Sequence, residues 1–352
     1  MKNNKYKIVI YTITKNEEKF IERYCKSALD ADEVYVFDTG STDATAEIAR
    51  KCGAIVHNIY VSPWRFDVAR NASLAMLSSD ADICIALDAD EVMEPGWREV
   101  VESLWQPDTT RMSYLFDWSC GIQFNSTKIH SRKGYLWKYP CHEMIMADPR
   151  IQEKFVCTDK LLIRHLPDHS KSRGQYLDLL EVTVKEYPLE TRHAFFYARE
   201  LIFYDKIDDA LRELNKYLNM PNATWLDERS YAMRLIGDIY KRNNNPELSL
   251  EWYEKAAIEA SHRREPWFKL AEEYFNRKIW NQCYEAAKKC ITMPSSKQWP
   301  TDPQVDGALP YDYAAIAAYC LGNKEEAFIL GTKAVELAPH DIRIKENMKF
   351  YI

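Results

Sequence analysis

Ile83-Cys84-Ile85-Ala86-Leu87-Asp88-Ala89-Asp90-Glu91 is the stretch that decides the fold. Five apolar residues in a row suit a strand buried on both faces of a sheet, since a half-exposed strand would alternate. The run stops at two carboxylates one residue apart. At a strand end both can turn into the crevice where open α/β sheets bind ligands. There they repel each other unless a cation or a donor lies between them. A divalent ion holding two phosphates meets that need, because Mg²⁺ and Mn²⁺ take oxygen ligands, commonly one or two carboxylates with phosphate and water. A solvated turn with helix-capping acids is the plain alternative.

Working outward, short apolar runs alternate with amphipathic stretches up to about residue 165, the rhythm of an α/β sheet. Residues 7–13 read as a first strand, followed by a helix with Phe20, Ile21, Tyr24, Ala28 and Leu29 on one face. Thr14 and Glu17 have capping-box spacing for the start of that helix. A second strand, 33–37, ends in Asp38-Thr39-Gly40-Ser41-Thr42-Asp43, and a helix then runs to about Cys52 and stops at Gly53. Asp38 at this strand end can accept from a nucleobase N–H or a ribose hydroxyl, whereas Ser41, Thr42 and Asp43 read as helix caps. A helix over 66–77 carries Arg70, whose guanidinium fork suits a diphosphate. Strand-like pieces at 111–118, 128–137 and 160–165 are expected to be antiparallel and half exposed.

After Pro167 the pattern turns helical and repeats. Ala198, Gly237, Ala271 and Ala315 align, spaced by 39, 34 and 44 residues. Ala210, Ser249, Cys283 and Ala327 follow each by 12, and Tyr217, Ala256, Cys290 and Ala334 by 7 more. Small residues at such positions let paired helices approach closely, and stacked pairs bury a continuous core. The middle spacing is that of tetratricopeptide repeats, which this region resembles; the others imply insertions, the clearest at 295–310. The expected architecture is therefore a catalytic α/β domain at 1–170, with a mostly parallel central sheet between helices, and an all-α helical repeat domain at 171–352.

The chain has 352 residues, enough for two cores. A formal net charge of −6 argues against nucleic acid as partner or acceptor. Nothing approaches the roughly 20 apolar residues of a membrane span. Nine cysteines without a C-x-x-C pair read as small core residues in a reducing compartment, which places the protein in the cytoplasm.

Thr12-Ile13-Thr14-Lys15-Asn16-Glu17-Glu18, Asp38 to Asp43, Ala69-Arg70-Asn71 and Asp88-Ala89-Asp90-Glu91 resemble, in order and approximate spacing, the family 2 glycosyltransferases of the GT-A fold over residues 6–165. The resemblance implies a nucleoside pocket around Tyr11, Thr12, Glu17 and Asp38. It implies that Arg70 approaches the diphosphate, that Asp88 and Asp90 belong to the nucleotide and metal site, and that the anomeric carbon is inverted. The acidic pair in which this family commonly carries its general base is absent in its usual form. His142-Glu143 resembles the His-Glu segment of the repeat-bearing members, with Glu143 preferred to His142 as base; an orienting loop role is the alternative. A histidine near the end of the domain commonly reaches the metal, and His165 fits, with His169 as competitor. Arg132 is a further candidate cation for phosphate or acceptor.

The resulting expectation is an inverting transferase with Mn²⁺ or Mg²⁺ and a nucleotide diphosphate sugar donor, a UDP-sugar being favoured. Its acceptor, a carbohydrate, a peptide or another nucleophile, is presented near the repeats, which also offer a surface for a homodimer. A nicotinamide or SAM enzyme would need a glycine-rich turn after the first strand, and a nucleotidyltransferase a basic glycine-rich loop. Neither is present. The alternative from another class is a peptide-binding adaptor with an inactive nucleotide-sugar domain.

Overall fold

The computed structural model describes residues 5–119, 122–168, 174, 176–296, 300 and 302–352. The chain divides into two compact units, Met1–Glu186 and Tyr187–Ile352.

The first unit runs β1 (Ile8–Thr14), α1 (Ile21–Ser27), β2 (Glu33–Asp38), α2 (Thr45–Lys51), β3 (Ile55–Asn58), α3 (Phe66–Ala75), β4 (Ile83–Ala86), β5 (Glu91–Met93), α4 (Trp97–Leu104), β6 (Arg111–Ser119), β7 (Ile122–Ser131), β8 (Tyr135–Lys138), β9 (Met144–Ala147), β10 (Phe155–His165) and α5 (Tyr176–Glu186). Its main sheet has the order β3-β2-β1-β4-β7-β6-β10-β5, and β8 and β9 form a separate hairpin. The β3 to β4 half is parallel. The apolar reading of β4 holds for a simple reason: Ile83 and Ile85 face a core with Ile8, Ile10, Tyr24 and Trp97, while Cys84 and Ala86 face another with Val9, Tyr11, Leu74 and Trp137. Both faces are covered, so nothing on β4 needs to be polar.

Several local expectations are corrected. Thr14 ends β1 and α1 begins only at Ile21 without a side-chain cap, so Thr14 and Glu17 form no capping box. Leu29 lies beyond the end of α1 and is exposed. The stretch 128–137 is not one strand, because the chain leaves the main sheet at Ser131 and turns through Gly134, at φ 85°, into the hairpin. Within the half expected to be antiparallel, β6 and β10 pair parallel. Cys157 and Cys320 are exposed rather than core residues, and Cys120 lies outside the described residues.

The helix α5 belongs with the first unit rather than with the repeats, beyond the boundary expected at 170. Glu186 pairs with Arg65, and Tyr176 stacks on Phe66 with ring centroids 6.3 Å apart.

The second unit comprises α6 (Thr191–Phe203), α7 (Ile207–Leu218), α8 (Leu226–Arg242), α9 (Pro246–Glu259), α10 (Arg264–Asn276), α11 (Trp280–Thr292), a 3₁₀ turn at Pro303–Asp306, α12 (Leu309–Cys320), α13 (Lys324–Leu337) and α14 (Ile342–Tyr351). Consecutive helices pack in pairs, α6 with α7, α8 with α9, α10 with α11 and α12 with α13. Every residue of the three aligned sets is buried, the first set on the leading helix of each pair and the other two on the following helix. This is a tetratricopeptide-like helical repeat, and part of the 295–310 insertion lies outside the described residues. No helix among the described residues is long and apolar enough to cross a membrane.

The closest approach falls at Gly237 of α8, where a Cβ would overlap the ring of Tyr253 on α9. That ring is fully buried and its hydroxyl donates to Asp238 Oδ1 at 2.7 Å, so it has little room to yield. Gly237→Ala is expected to destabilise the repeat unit by about 1–3 kcal/mol through overpacking, despite the better helix propensity of alanine. Chemical denaturation of the full chain, read by circular dichroism, checks this.

Candidate active site

The parallel strands β1, β2 and β4 are neighbours, so Thr14, Asp38 and the Asp88–Glu91 turn leave the sheet at one edge. Asp38 is 6% exposed, and its Oδ1 accepts from the Ser41 N–H at 2.9 Å and the Ser41 hydroxyl at 2.6 Å. Asn16, at φ 57°, accepts the Thr42 N–H at 2.8 Å and donates its own N–H to Ser41 Oγ at 2.9 Å. The Glu17 N–H reaches Thr45 Oγ1 at 2.7 Å. These bonds lace the loop after β1 to the loop after β2, which explains two of the polar motifs together. Asp43 accepts the Thr45 N–H at 3.0 Å, but the N-cap of α2 is Ala44 and has no side-chain cap, so Ser41, Thr42 and Asp43 do not occupy the capping position expected of them.

Tyr11 and Thr12 require a correction, because both side chains are fully buried and have no surface to offer a nucleoside. Thr12 donates to its neighbour's carbonyl, on Ile13, at 3.2 Å. Tyr11 belongs to a polar chain beneath the sheet. Trp137 Nε1 donates to the Tyr11 oxygen at 3.0 Å, which lies 3.1 Å from His130 Nε2, and His130 Nδ1 is 2.8 Å from the Ser131 carbonyl. A carbonyl only accepts, so Nδ1 carries the proton and Nε2 accepts the Tyr11 O–H. His130 is thereby neutral, its pKa pushed down by burial to about 4.

Arg70, 3% exposed, stands at the centre of the site. Its Nε donates to Glu143 Oε1 at 2.9 Å, its Nη2 pairs with Asp88 Oδ1, and its guanidinium lies 5.0 Å from the Trp137 ring centroid. Its Nη1 is buried without a hydrogen-bond partner among the described residues. Asn71 bonds the backbone of Trp137 in both directions, at 2.9 and 2.8 Å, so the Ala69-Arg70-Asn71 motif both reaches the site and clamps the hairpin.

Sequence reasoning missed Lys128. From β7 its Nζ donates to Asp88 Oδ2 at 3.1 Å and to Glu91 Oε1 at 2.8 Å, while Glu91 Oε2 accepts the Asp88 N–H at 3.0 Å. A lysine in a strand read as half exposed looks like a solvated charge, and only the insertion of β7 beside β4 brings it under the turn. Burial opposes ionisation of Asp88, but Lys128 and Arg70 outweigh it and hold that carboxyl well below the usual range. Glu91, 2% exposed, is pushed up to about 7, first by burial and also by Asp88, with Lys128 pulling the other way. Each Asp88 oxygen thus has a protein cation.

Asp90 and His165 do come together. His165 Nε2 lies 3.3 Å from Asp90 Oδ2, and the Leu166 N–H donates to the Asp90 carbonyl at 2.8 Å. The antiparallel pairing of β10 with β5 sets His165 opposite Glu91 and so fixes this meeting. Burial lowers the His165 pKa, but the bond to Asp90 and the surrounding carboxylates raise it on balance. His169 lies outside the described residues. Among the described residues no group of three or more His, Cys, Asp or Glu side chains is placed to hold an ion unaided. His142 sits at φ 50° beside Glu143, with its ring 5.6 Å from Tyr176. Arg132 is not a phosphate ligand here: it donates to the Ser78 and Leu77 carbonyls, both at 3.1 Å, beyond the end of α3.

Residues 9–165 match the family model described as Glycosyl transferase family 2, and this region is a domain of that family. A TPR repeat-containing protein of Synechococcus elongatus is 24% identical over 79% of this chain and 73% of that protein. An uncharacterized glycosyltransferase of Rickettsia bellii is 37% identical over 28% of this chain, and the match spans only a third of that relative's length. Among solved structures, the C-terminal part of a TPR repeat-containing protein from Cytophaga hutchinsonii aligns with 51% of this chain and 64% of its own, at 16% identity and a TM-score of 0.39.

The buried His130 predicts an acid response. Its folded pKa lies below the unfolded value near 6.5, so the stability it confers is complete above pH 6.5 and is lost as pH falls towards 4. Within that window it contributes a slope of up to about 1.4 kcal/mol per pH unit. Denaturation midpoints measured at pH 7 and pH 5 should differ less in His130→Gln than in the parent chain.

Proposed function

We propose that the first unit transfers a sugar from a nucleotide diphosphate sugar, with UDP as the favoured nucleotide, to an acceptor hydroxyl or other nucleophile, inverting the anomeric carbon. The observation that carries this reading is the Asp90–His165 pair beside the Arg70–Asp88–Lys128 cluster, on the same strand-end edge as Asp38. A diphosphate needs local cationic partners, and Arg70 and Lys128 bring two to this edge.

Asp38 accepts from the nucleoside. Arg70 meets the diphosphate. Asp90 and His165 would hold the ion through one carboxylate and one imidazole, a pair that suits Mn²⁺ and, less readily, the oxygen-preferring Mg²⁺. The ion, when bound, supplies Lewis-acid stabilisation for the departing diphosphate. Glu143, its Oε1 held by Arg70, takes the acceptor's proton as the nucleophile bonds to the anomeric carbon and the bond to the diphosphate oxygen breaks. The repeats select the acceptor, since helical solenoids present extended binding surfaces.

Two outcomes test this assignment. Asp90→Asn is expected to weaken Mn²⁺ binding in the presence of UDP by at least about tenfold, measured by calorimetry, the scale on which metal sites respond to lost interactions. Asp88→Asn should instead leave the metal affinity near that of the parent and lower the melting temperature, because Arg70 and Lys128 lose their shared counter-ion. Equal metal losses in both variants would return Asp88 to the coordination sphere.

Glu143→Gln keeps the shape and the contact with Arg70 but cannot accept a proton. Turnover should fall by about 10² to 10⁴ with UDP binding retained. Loss of UDP binding in parallel would make Glu143 a structural residue.

A further inference from the structure

The sheet face that carries Lys128 continues past the charged cluster as a strip of rings. Phe116 and Trp118 stand two residues apart on β6 and share a face. Phe124 of β7 is the cross-strand partner of Phe116, with its ring 5.3 Å from Phe116 and 6.3 Å from Trp118. Lys128 Nζ lies 6.0 Å from the Phe116 ring, and the His165 imidazole rests against both aromatics, 6.0 Å from Phe116 and 4.6 Å from Trp118. Exposure rises along the strip, from 3% at Phe116 to 48% at Trp118.

A single exposed aromatic is ordinarily unremarked. This one is held from behind by three rings, so it has little freedom left to lose on binding. It adjoins the polar Asp90–His165 pair, and it is continuous with the site. Its position along the sheet is also informative. From Asp38 on β2 to Trp118 on β6 the sheet crosses four strand spacings, roughly 19 Å. With the nucleoside at Asp38 and the diphosphate near Asp88 and Asp90, the reactive end of the donor falls towards β6 and β10. A ligand waiting there needs an apolar face for the indole and a polar, hydroxylated edge where it adjoins the charged Asp90–His165 side of the site. A pyranose ring has that construction, with C–H groups on one face and hydroxyls at its edge.

We propose that Trp118, with Phe124 and His165 beside it, is the platform for a pyranose ring of a carbohydrate acceptor. The assignment rests on the transfer reading above and narrows the acceptor to a glycan.

The test uses the full chain labelled with 5-fluorotryptophan, the Trp118 resonance being assigned by its loss in Trp118→Phe. UDP and Mg²⁺ are added first, then methyl glucoside, galactoside, mannoside and N-acetylglucosaminide in turn. At least one pyranoside should shift the Trp118 resonance and receive saturation on its C–H protons. Its affinity should fall about fivefold in Trp118→Ala, within the range of aromatic stacking contacts, and persist in Trp118→Phe. The fluorine shift is read on the unmutated chain, so it stands even where Trp118→Ala folds poorly. Silence with every pyranoside or equal affinity in Trp118→Ala would overturn the proposal. Pyranoside binding through Trp118 in a chain that does not bind UDP would support the sugar platform while removing the transfer reading.

Discussion

The charged cluster at the strand-end edge depends on one carboxylate, Asp88, being shared by two protein cations. Arg70 comes from α3 and Lys128 from β7, elements far apart in the chain, and they take different oxygens of the same group. Two cations with little access to water are costly unless paired, and Asp88, Glu91 and Glu143 are their counter-ions. The pairing also organises the turn, because Glu91 ties the Asp88 N–H to the same lysine. Asp90 is left outside this network and free to meet His165. The repulsion between neighbouring carboxylates is thus settled unequally, the first by protein cations and the second by an imidazole.

A neutral network supports the charged one. Asn71 fixes the β8 backbone, Trp137 on that strand lies against the Arg70 guanidinium, and the same indole donates to Tyr11. The chain ends on His130, whose buried and uncharged ring completes it without adding charge beneath the cluster. Rigid positioning of Arg70 therefore comes from packing and hydrogen bonds directed away from solvent. An arginine held in this way needs little reorganisation when an anion arrives.

The repeat unit obeys a different constraint, the distance between helix axes. Alanine, glycine, serine or cysteine at most of the aligned positions lets backbones approach, and the core fills with small side chains beside occasional large rings such as Tyr253. This explains why a spacing pattern could be read without a strong consensus.

Local chemistry was legible where the physics is local. The doubly buried β4, the acids at its end and the twelve repeat positions all follow from periodicity and residue type, and each lies where the sequence placed it. Asp90 and His165 were named together only through resemblance, as metal ligands, and in the fold they lie side by side. Tertiary structure alone decided which side chains face the crevice. Tyr11 and Thr12 read as pocket residues, yet the hairpin and the sheet bury them; Lys128 falls in a stretch read only as a half-exposed strand, yet the antiparallel insertion of β7 beside β4 sets it beneath Asp88. A strand's own pattern records that it is covered and not by what, since strand order and crossover are fixed by contacts between residues remote in sequence.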